Sequence, residues 1–218
     1  YQGQWKQGKQ DGNGKRYVDS GNITAVYEGE WKEGRPDGIG SEWKDGKILY
    51  EGEWKQGKLD GWGTEYYDNG QIAYQGQWKQ GKQDGKGKGY VDSGNITAVY
   101  EGEWKEGRPD GIGSEWKDGK ILYEGEWKQG KLDGWGTEYY DNGQIAYQGQ
   151  WKQGKQDGKG KRYVDSGNIT AVYVGEWKQG QRHGRGTEYG GNGKKQYRGE
   201  WMQGKRHGHG TEYDVHGQ

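Results

Sequence analysis

The chain of 218 residues is only 27% hydrophobic, with Phe absent, too little apolar stock to fill a conventional two-layer core. Basic and acidic residues, 33 of each, cancel, so bulk electrostatics favours neither nucleic acid nor an anionic membrane. The absence of Cys excludes disulfide and thiol chemistry, and no apolar run approaches the ~18 residues of a membrane span.

The 48 glycines would suggest disorder, but 13 Trp and 18 Tyr recur at fixed spacing, and disordered chains are poor in aromatics. Units of 22 to 26 residues begin at Tyr1, Tyr27, Tyr50, Tyr74, Tyr100, Tyr123, Tyr147, Tyr173 and Tyr197. Three units make a 73-residue super-repeat. Residues 1–73 and 74–146 differ only at Asn13/Lys86 and Arg16/Gly89, which marks recent duplication or deliberate assembly. Residues 1–218 thus read as one repeat array. Its last two units diverge (Gly190-Gly191, Val215-His216-Gly217) as capping repeats do. The chain opens inside a repeat on Tyr1, as an excised fragment would.

Counting from the first Tyr, positions 3, 8, 12 and 14 of every unit are Gly, position 5 is Trp and position 17 is aromatic. In Tyr1-Gln2-Gly3-Gln4-Trp5-Lys6 a strand places Tyr, Gly and Trp on one face and polar residues on the other. Gly8 turns the chain with φ > 0, and a second strand runs from about Gly12 to Tyr17. Turns such as Asp68-Asn69-Gly70 lead into the next unit. Gly at 12 and 14 weakens a strand unless another group lies close to the backbone. The expected group is the Trp of position 5, lying flat on the glycines. Trp5, Trp31, Trp54, Trp78, Trp104, Trp127, Trp151, Trp177 and Trp201 would then form a structural ladder. The odd spacing from Gly14 to Tyr17 leaves the facing of Tyr17 open, with a bulge as one resolution. The expected class is all-β, an elongated antiparallel array of hairpins extending about 85–90 Å at roughly 4.8 Å per strand.

The pattern Y-x-G-x-W-x-x-G-x-x-x-G-x-G, followed by an aromatic and a turn, resembles the MORN repeat (membrane occupation and recognition nexus). Residues 50–70 and 197–217 match it position for position. The 26-residue units depart from it by a longer link, and Trp at position 5 stands where the family often carries Phe. The resemblance implies a single-layer, twisted antiparallel sheet. It also implies roles in scaffolding, self-association and protein docking, with phospholipid binding often proposed. A cytoplasmic, cytoskeletal or membrane-associated setting goes with those roles.

Nothing in the residues themselves reads as an enzyme, and no cofactor is expected. His183 and His207 stand at position 11, where the other units carry Asp, so they are turn residues first. His207 and His209 form a weak metal candidate, because alternate strand residues share a face. Acidic pairs at positions 4 and 11 recur along the chain, whereas an active site is unique. Lys6, Lys32, Lys55, Lys79, Lys105, Lys128 and Lys152 at position 6 form a basic row suited to phosphate or lipid headgroups. Pairing with Glu on the same strand face is the simpler account. Trp62 and Trp135, at position 13, are the aromatics expected to be exposed and available to a ligand such as choline or a glycan. Asn22, Asn95 and Asn168 begin N-x-T motifs, one sequon in triplicate. The preferred reading is an interaction scaffold for a protein partner, with homodimers or end-to-end contacts through the N-terminal edge strand. The alternative is a module for phospholipid, glycan or choline.

Overall fold

The computed structural model describes residues 1–19, 23–91, 98–165 and 170–214. The N-x-T asparagines and Val215-His216-Gly217 lie outside the described residues. Among the described residues there is no helix; the elements are β-strands joined by tight turns. The chain divides into two compact units, Tyr1–Arg108 and Pro109–Gln218.

The first unit contains β1 (Gln2–Lys6), β2 (Lys9–Asp19), β3 (Ile23–Lys32), β4 (Arg35–Lys44) and β5 (Lys47–Lys55). It continues with β6 (Lys58–Tyr66), β7 (Ile72–Lys79), β8 (Lys82–Tyr90) and β9 (Ala98–Lys105). Each strand pairs antiparallel with the next in sequence. The second unit repeats the scheme with β10 (Arg108–Lys117), β11 (Lys120–Lys128), β12 (Lys131–Tyr139), β13 (Ile145–Lys152) and β14 (Lys155–Tyr163). β15 (Ala171–Lys178), β16 (Gln181–Tyr189), β17 (Lys195–Met202) and β18 (Lys205–Glu212) complete it. Here too neighbours in sequence are neighbours in the sheet, all antiparallel.

The hairpin turn uses two residues with positive φ, Gln7 at 49° and Gly8 at 77°, the geometry that matches the twist of the flanking strands. Gly8 takes the positive φ expected of it, but the non-glycine before it does so as well, in every unit. The strain at that residue is offset by the preceding repeat. The Asp133 carboxylate accepts the Gln153 N–H at 3.1 Å, and Asp37 accepts that of Gln56 at 3.0 Å. Position 11 is therefore a brace between consecutive turns. Asp133→Ala should cost about 1 kcal/mol, measured as a fall in the urea midpoint. An unchanged midpoint would leave the αL residue without its support.

The second strand begins earlier than the sequence suggests, at Lys9 in the first repeat. The difference lies at Gly12. Gly3 pairs with Gly14 and Trp5 with Gln10, so a single residue, Gln4, faces three, Asp11, Gly12 and Asn13. This bulge needs positive φ at position 12, 111° at Gly61 and 114° at Gly134, where only glycine is comfortable. A second register shift falls between positions 16 and 17, where Glu138 pairs with Tyr147 but Tyr139 pairs with Ile145. It resolves the odd spacing between Gly14 and the aromatic at 17.

The core of each unit is one aromatic face. Tyr27, Trp31, Tyr50, Trp54, Tyr74 and Trp78 form it in the first unit. In the second it comprises Tyr123, Tyr147, Trp151, Tyr173, Trp177, Tyr197 and Trp201. Apolar burial by large, stiff rings replaces the missing aliphatic core.

Candidate functional site

The glycines at 3 and 14 pair with each other within a hairpin and again with the next hairpin, as Gly136 does with Gly125 and with Gly149. They make a row without side chains across the strands of each unit. The ring lying on that row is Tyr of position 1, not Trp of position 5. A Cβ on Gly136 would sit on the Tyr123 ring, 2.5 Å from Cε2 and closer still to Cζ and the hydroxyl. The ring reaches across its own hairpin, and its hydroxyl donates to the carbonyl of position 4, 3.1 Å for Tyr147 and Gln150.

Trp of position 5 stands edge-on between successive tyrosines. Tyr147 meets Trp151 and Trp177 at centroid separations of 5.3 Å, with interplanar angles of 86° and 87°. The indole N–H of Trp31, Trp54, Trp78, Trp104, Trp127, Trp177 and Trp201 donates to the Gly14-type carbonyl of the preceding repeat. Trp54 reaches Gly40 at 3.1 Å and Trp127 reaches Gly113 at 3.2 Å, whereas the indole N–H of Trp151 is buried without a hydrogen-bond partner among the described residues. The ladder is thus a Tyr–Trp alternation, and each rung ties two repeats together. Trp31, Trp54, Trp78, Trp151, Trp177 and Trp201 are buried, whereas Trp104 and Trp127 are half-buried. Trp5 is 58% exposed and packs on Tyr1. The glycine at 12 has a different neighbour from the one expected. A Cβ on Gly134 would meet the Glu126 carboxylate, whose Oε1 accepts the Trp135 N–H at 2.9 Å. The position-4 acid fills the bulge and satisfies its backbone.

The lysine rows do not pair with same-face Glu. Each position-6 lysine is exposed, and apart from Lys178, which faces Gln181, the cross-strand partner is another cation where the register gives one: Lys6 with Lys9, Lys32 with Arg35, Lys55 with Lys58, Lys79 with Lys82. Lys128 and Lys152 likewise face Lys131 and Lys155, and Lys105 is equally exposed. The position-2 acids bond elsewhere: Glu28 and Glu101 to position 15, with Lys15–Glu28 at 2.8 Å and Lys88–Glu101 at 3.1 Å, while Glu51 and Glu124 accept from the hydroxyls of Tyr66 and Tyr139. Like charges directly opposite each other are unfavourable in a sheet. They persist here at the hairpin ends, where water screens them.

On the face away from the ladder, position 13 projects outward. Trp62 and Trp135 are 53% and 54% exposed, and Ile39 and Ile112 of the adjacent repeats are more so. Ile39 and Trp62 line a shallow groove floored by Gly40, Gly52 and Gly63. Trp135 and Val174 line its counterpart over Gly160 and Gly175. His207 and His209 are exposed, but Gly208 between them has φ 58° and lies in the bulge, so strand alternation does not join them on a face. Among the described residues, no three His, Cys, Asp or Glu converge as a metal site would require.

Sequence reasoning missed the acids of position 16. Glu42, Glu65 and Glu115 pair with the tyrosines on the ladder face, and burial pushes their carboxyls above the ordinary range. Burial pushes Glu188 the same way, but hydrogen bonds from Arg206 and Arg182 override it and hold the carboxyl low. Positions 14 and 16 differ by two and so share a face, which was the available signal.

A family model of the MORN repeat matches residues 1–23, 27–48, 50–72, 74–88, 100–121, 123–145, 147–169, 173–195 and 197–215. The chain belongs to the MORN repeat family. Its nine matched segments begin at the nine tyrosines that open the units. MORN repeats are binding modules for proteins or membrane lipids rather than catalysts. No match is found among the curated proteins.

Proposed function

We propose that this MORN array is a non-catalytic scaffold for protein–protein contacts, made through the position-13 face. The observation that carries the reading is the exposed apolar pair in each unit, Ile39 with Trp62 and Ile112 with Trp135. Large apolar groups left in water beside a side-chain-free backbone floor suit a protein surface, where Trp is an energetic anchor. The rim is polar and mixed in sign, with Glu51 and Gln75 at one groove and Lys159, Lys161, Glu176 and Arg185 at the other. Self-association through the exposed β1 strand belongs to the same reading. Light scattering of the 218-residue chain over a concentration series tests it, and a strictly monomeric signal would remove it.

A second reading rests on the cation pairs at the hairpin ends, which suit an anionic phospholipid surface. One experiment separates the two. Retention of a purified partner, and sedimentation with phosphatidylserine vesicles at physiological salt, are compared across three proteins. These are the parent, a variant with Ile39, Trp62, Ile112 and Trp135 changed to Ser, and one with the eight position-6 lysines, Lys178 included, changed to Gln. The scaffold reading expects the first variant alone to lose the partner. Saturable vesicle binding lost only in the lysine variant would overturn it in favour of lipid.

A further inference from the structure

The near-identity of the super-repeats supplies an internal control at one of its few differences. Arg162, at position 16, projects on the ladder face of the second unit. Its Nη1 lies 3.1 Å from the Glu138 carboxylate, and its guanidinium lies 5.6 Å from the centre of the Tyr140 ring. Gln156 also donates to Glu138 at 3.2 Å, and the Tyr140 hydroxyl donates to the Tyr163 carbonyl at 2.8 Å. Seventy-three residues earlier the same constellation stands without its cation. Gln83 donates to Glu65 at 3.2 Å, and the Tyr67 hydroxyl donates to the Tyr90 carbonyl at 2.6 Å, but the residue at the arginine position is Gly89. What remains is a cavity of about 320 Å³ lined by Glu65, Tyr67, Tyr74, Gln83, Gly89 and Trp104.

We propose that the Gly89 cavity is a binding pocket for a guanidinium group, filled by an arginine side chain of a partner protein. The commitment to guanidinium comes from Arg162, which occupies the equivalent place within this chain. A planar cation donates to the carboxylate and stacks on tyrosine at once, whereas an ammonium does the first as a point charge. The walls carry what a cation needs: one acid held by an amide donor, and aromatic rings around it. Burial of Glu65 pushes its carboxyl above the ordinary range, so an incoming cation also relieves a desolvated charge. The pocket opens on the ladder face, away from the position-13 grooves, and neither site depends on the other. Arginine itself fits at position 89: Gly89 has no positive φ, and a Cβ there would lie 3.0 Å from the Trp104 ring, a contact eased by a shift of a few tenths of an ångström.

The test is a titration of the full 218-residue chain with N-acetyl-arginine amide, followed by tryptophan fluorescence and the indole N–H resonances. The neutral citrulline analogue and the lysine analogue are run beside it. The parent should show one saturable site, with citrulline and lysine analogues binding at least about tenfold more weakly. Gly89→Arg, which restores the residue found at position 162, should abolish binding. Glu65→Gln should abolish it with the cavity left open, and Arg162→Gly should create a second site. No saturable binding by the parent overturns the proposal. So do equal binding of the citrulline or lysine analogue, and undiminished binding by Gly89→Arg or Glu65→Gln.

Discussion

Gly160→Ala should destabilise the second unit by at least about 3 kcal/mol, yet cost less than about 1 kcal/mol when Tyr147 is already Ala. The reason is the ring that occupies the place of the missing Cβ. A methyl on Gly160 would lie 2.5 Å from Tyr147 Cε2 and nearer to Cζ and the hydroxyl. Tyr147 cannot step aside, because it is fully buried and held edge-on between Trp151 and Trp177. Tyr147→Ala alone should cost about 3–5 kcal/mol, the range for emptying a large aromatic site. Once the ring is gone, the new methyl enters the space it left, and the two losses become strongly non-additive. Urea unfolding followed by circular dichroism measures all three variants. A tryptophan lying on the glycines would predict the opposite coupling, with Trp151→Ala relieving the strain and Tyr147→Ala leaving it intact.

The contrast shows how far the sequence could be read. Period two in Tyr1–Lys6 and the invariant glycines are local signals, and they gave the strands, the turn at Gly8 and the one-sided aromatic core. Which ring covers Gly14 is not local. It depends on the bulge at Gly12, which drops two residues out of register and brings Tyr1 rather than Trp5 over the row. Nothing in the one-dimensional pattern distinguishes a strand glycine with positive φ from one with extended φ. The acids of position 16 were hidden for a related reason, since their facing follows from Gly14 only once the register shift is placed after them. The exposure of Trp62 and Trp135 was legible because position 13 alternates with Gly14, whose missing side chain marks the ladder side.

Raising the pH from 10 towards 12 should unfold both units in a steep transition. Burial pushes the hydroxyls of Tyr27, Tyr50 and Tyr74 in the first unit well above the ordinary tyrosine value. The same holds for Tyr123, Tyr147 and Tyr173 in the second. Each of these hydroxyls donates to the carbonyl of position 4, so ionisation removes the donor and sets a phenolate against carbonyl and carboxylate oxygens. The sign follows from the raised folded value. The contribution is fully present below the unfolded pKa of about 10 and is lost as pH climbs from there towards the folded value. Each tyrosine then costs about 1.4 kcal/mol per pH unit, so three of them cost about 4 kcal/mol at pH 11, against total stabilities of about 5–15 kcal/mol. Lysine deprotonation in the same range removes only exposed pairs such as Lys15–Glu28, which water already screens. Tyrosinate absorbance and the loss of the sheet signal should therefore rise together. A sheet signal that persists while all 18 tyrosines titrate near pH 10 would show the hydroxyls to be accessible. Replacing Tyr123, Tyr147 and Tyr173 by Phe should cost about 1 kcal/mol each at neutral pH through the lost hydrogen bonds. It should nevertheless move the alkaline midpoint of the second unit upward, because the rings stay in the ladder and nothing remains on them to ionise.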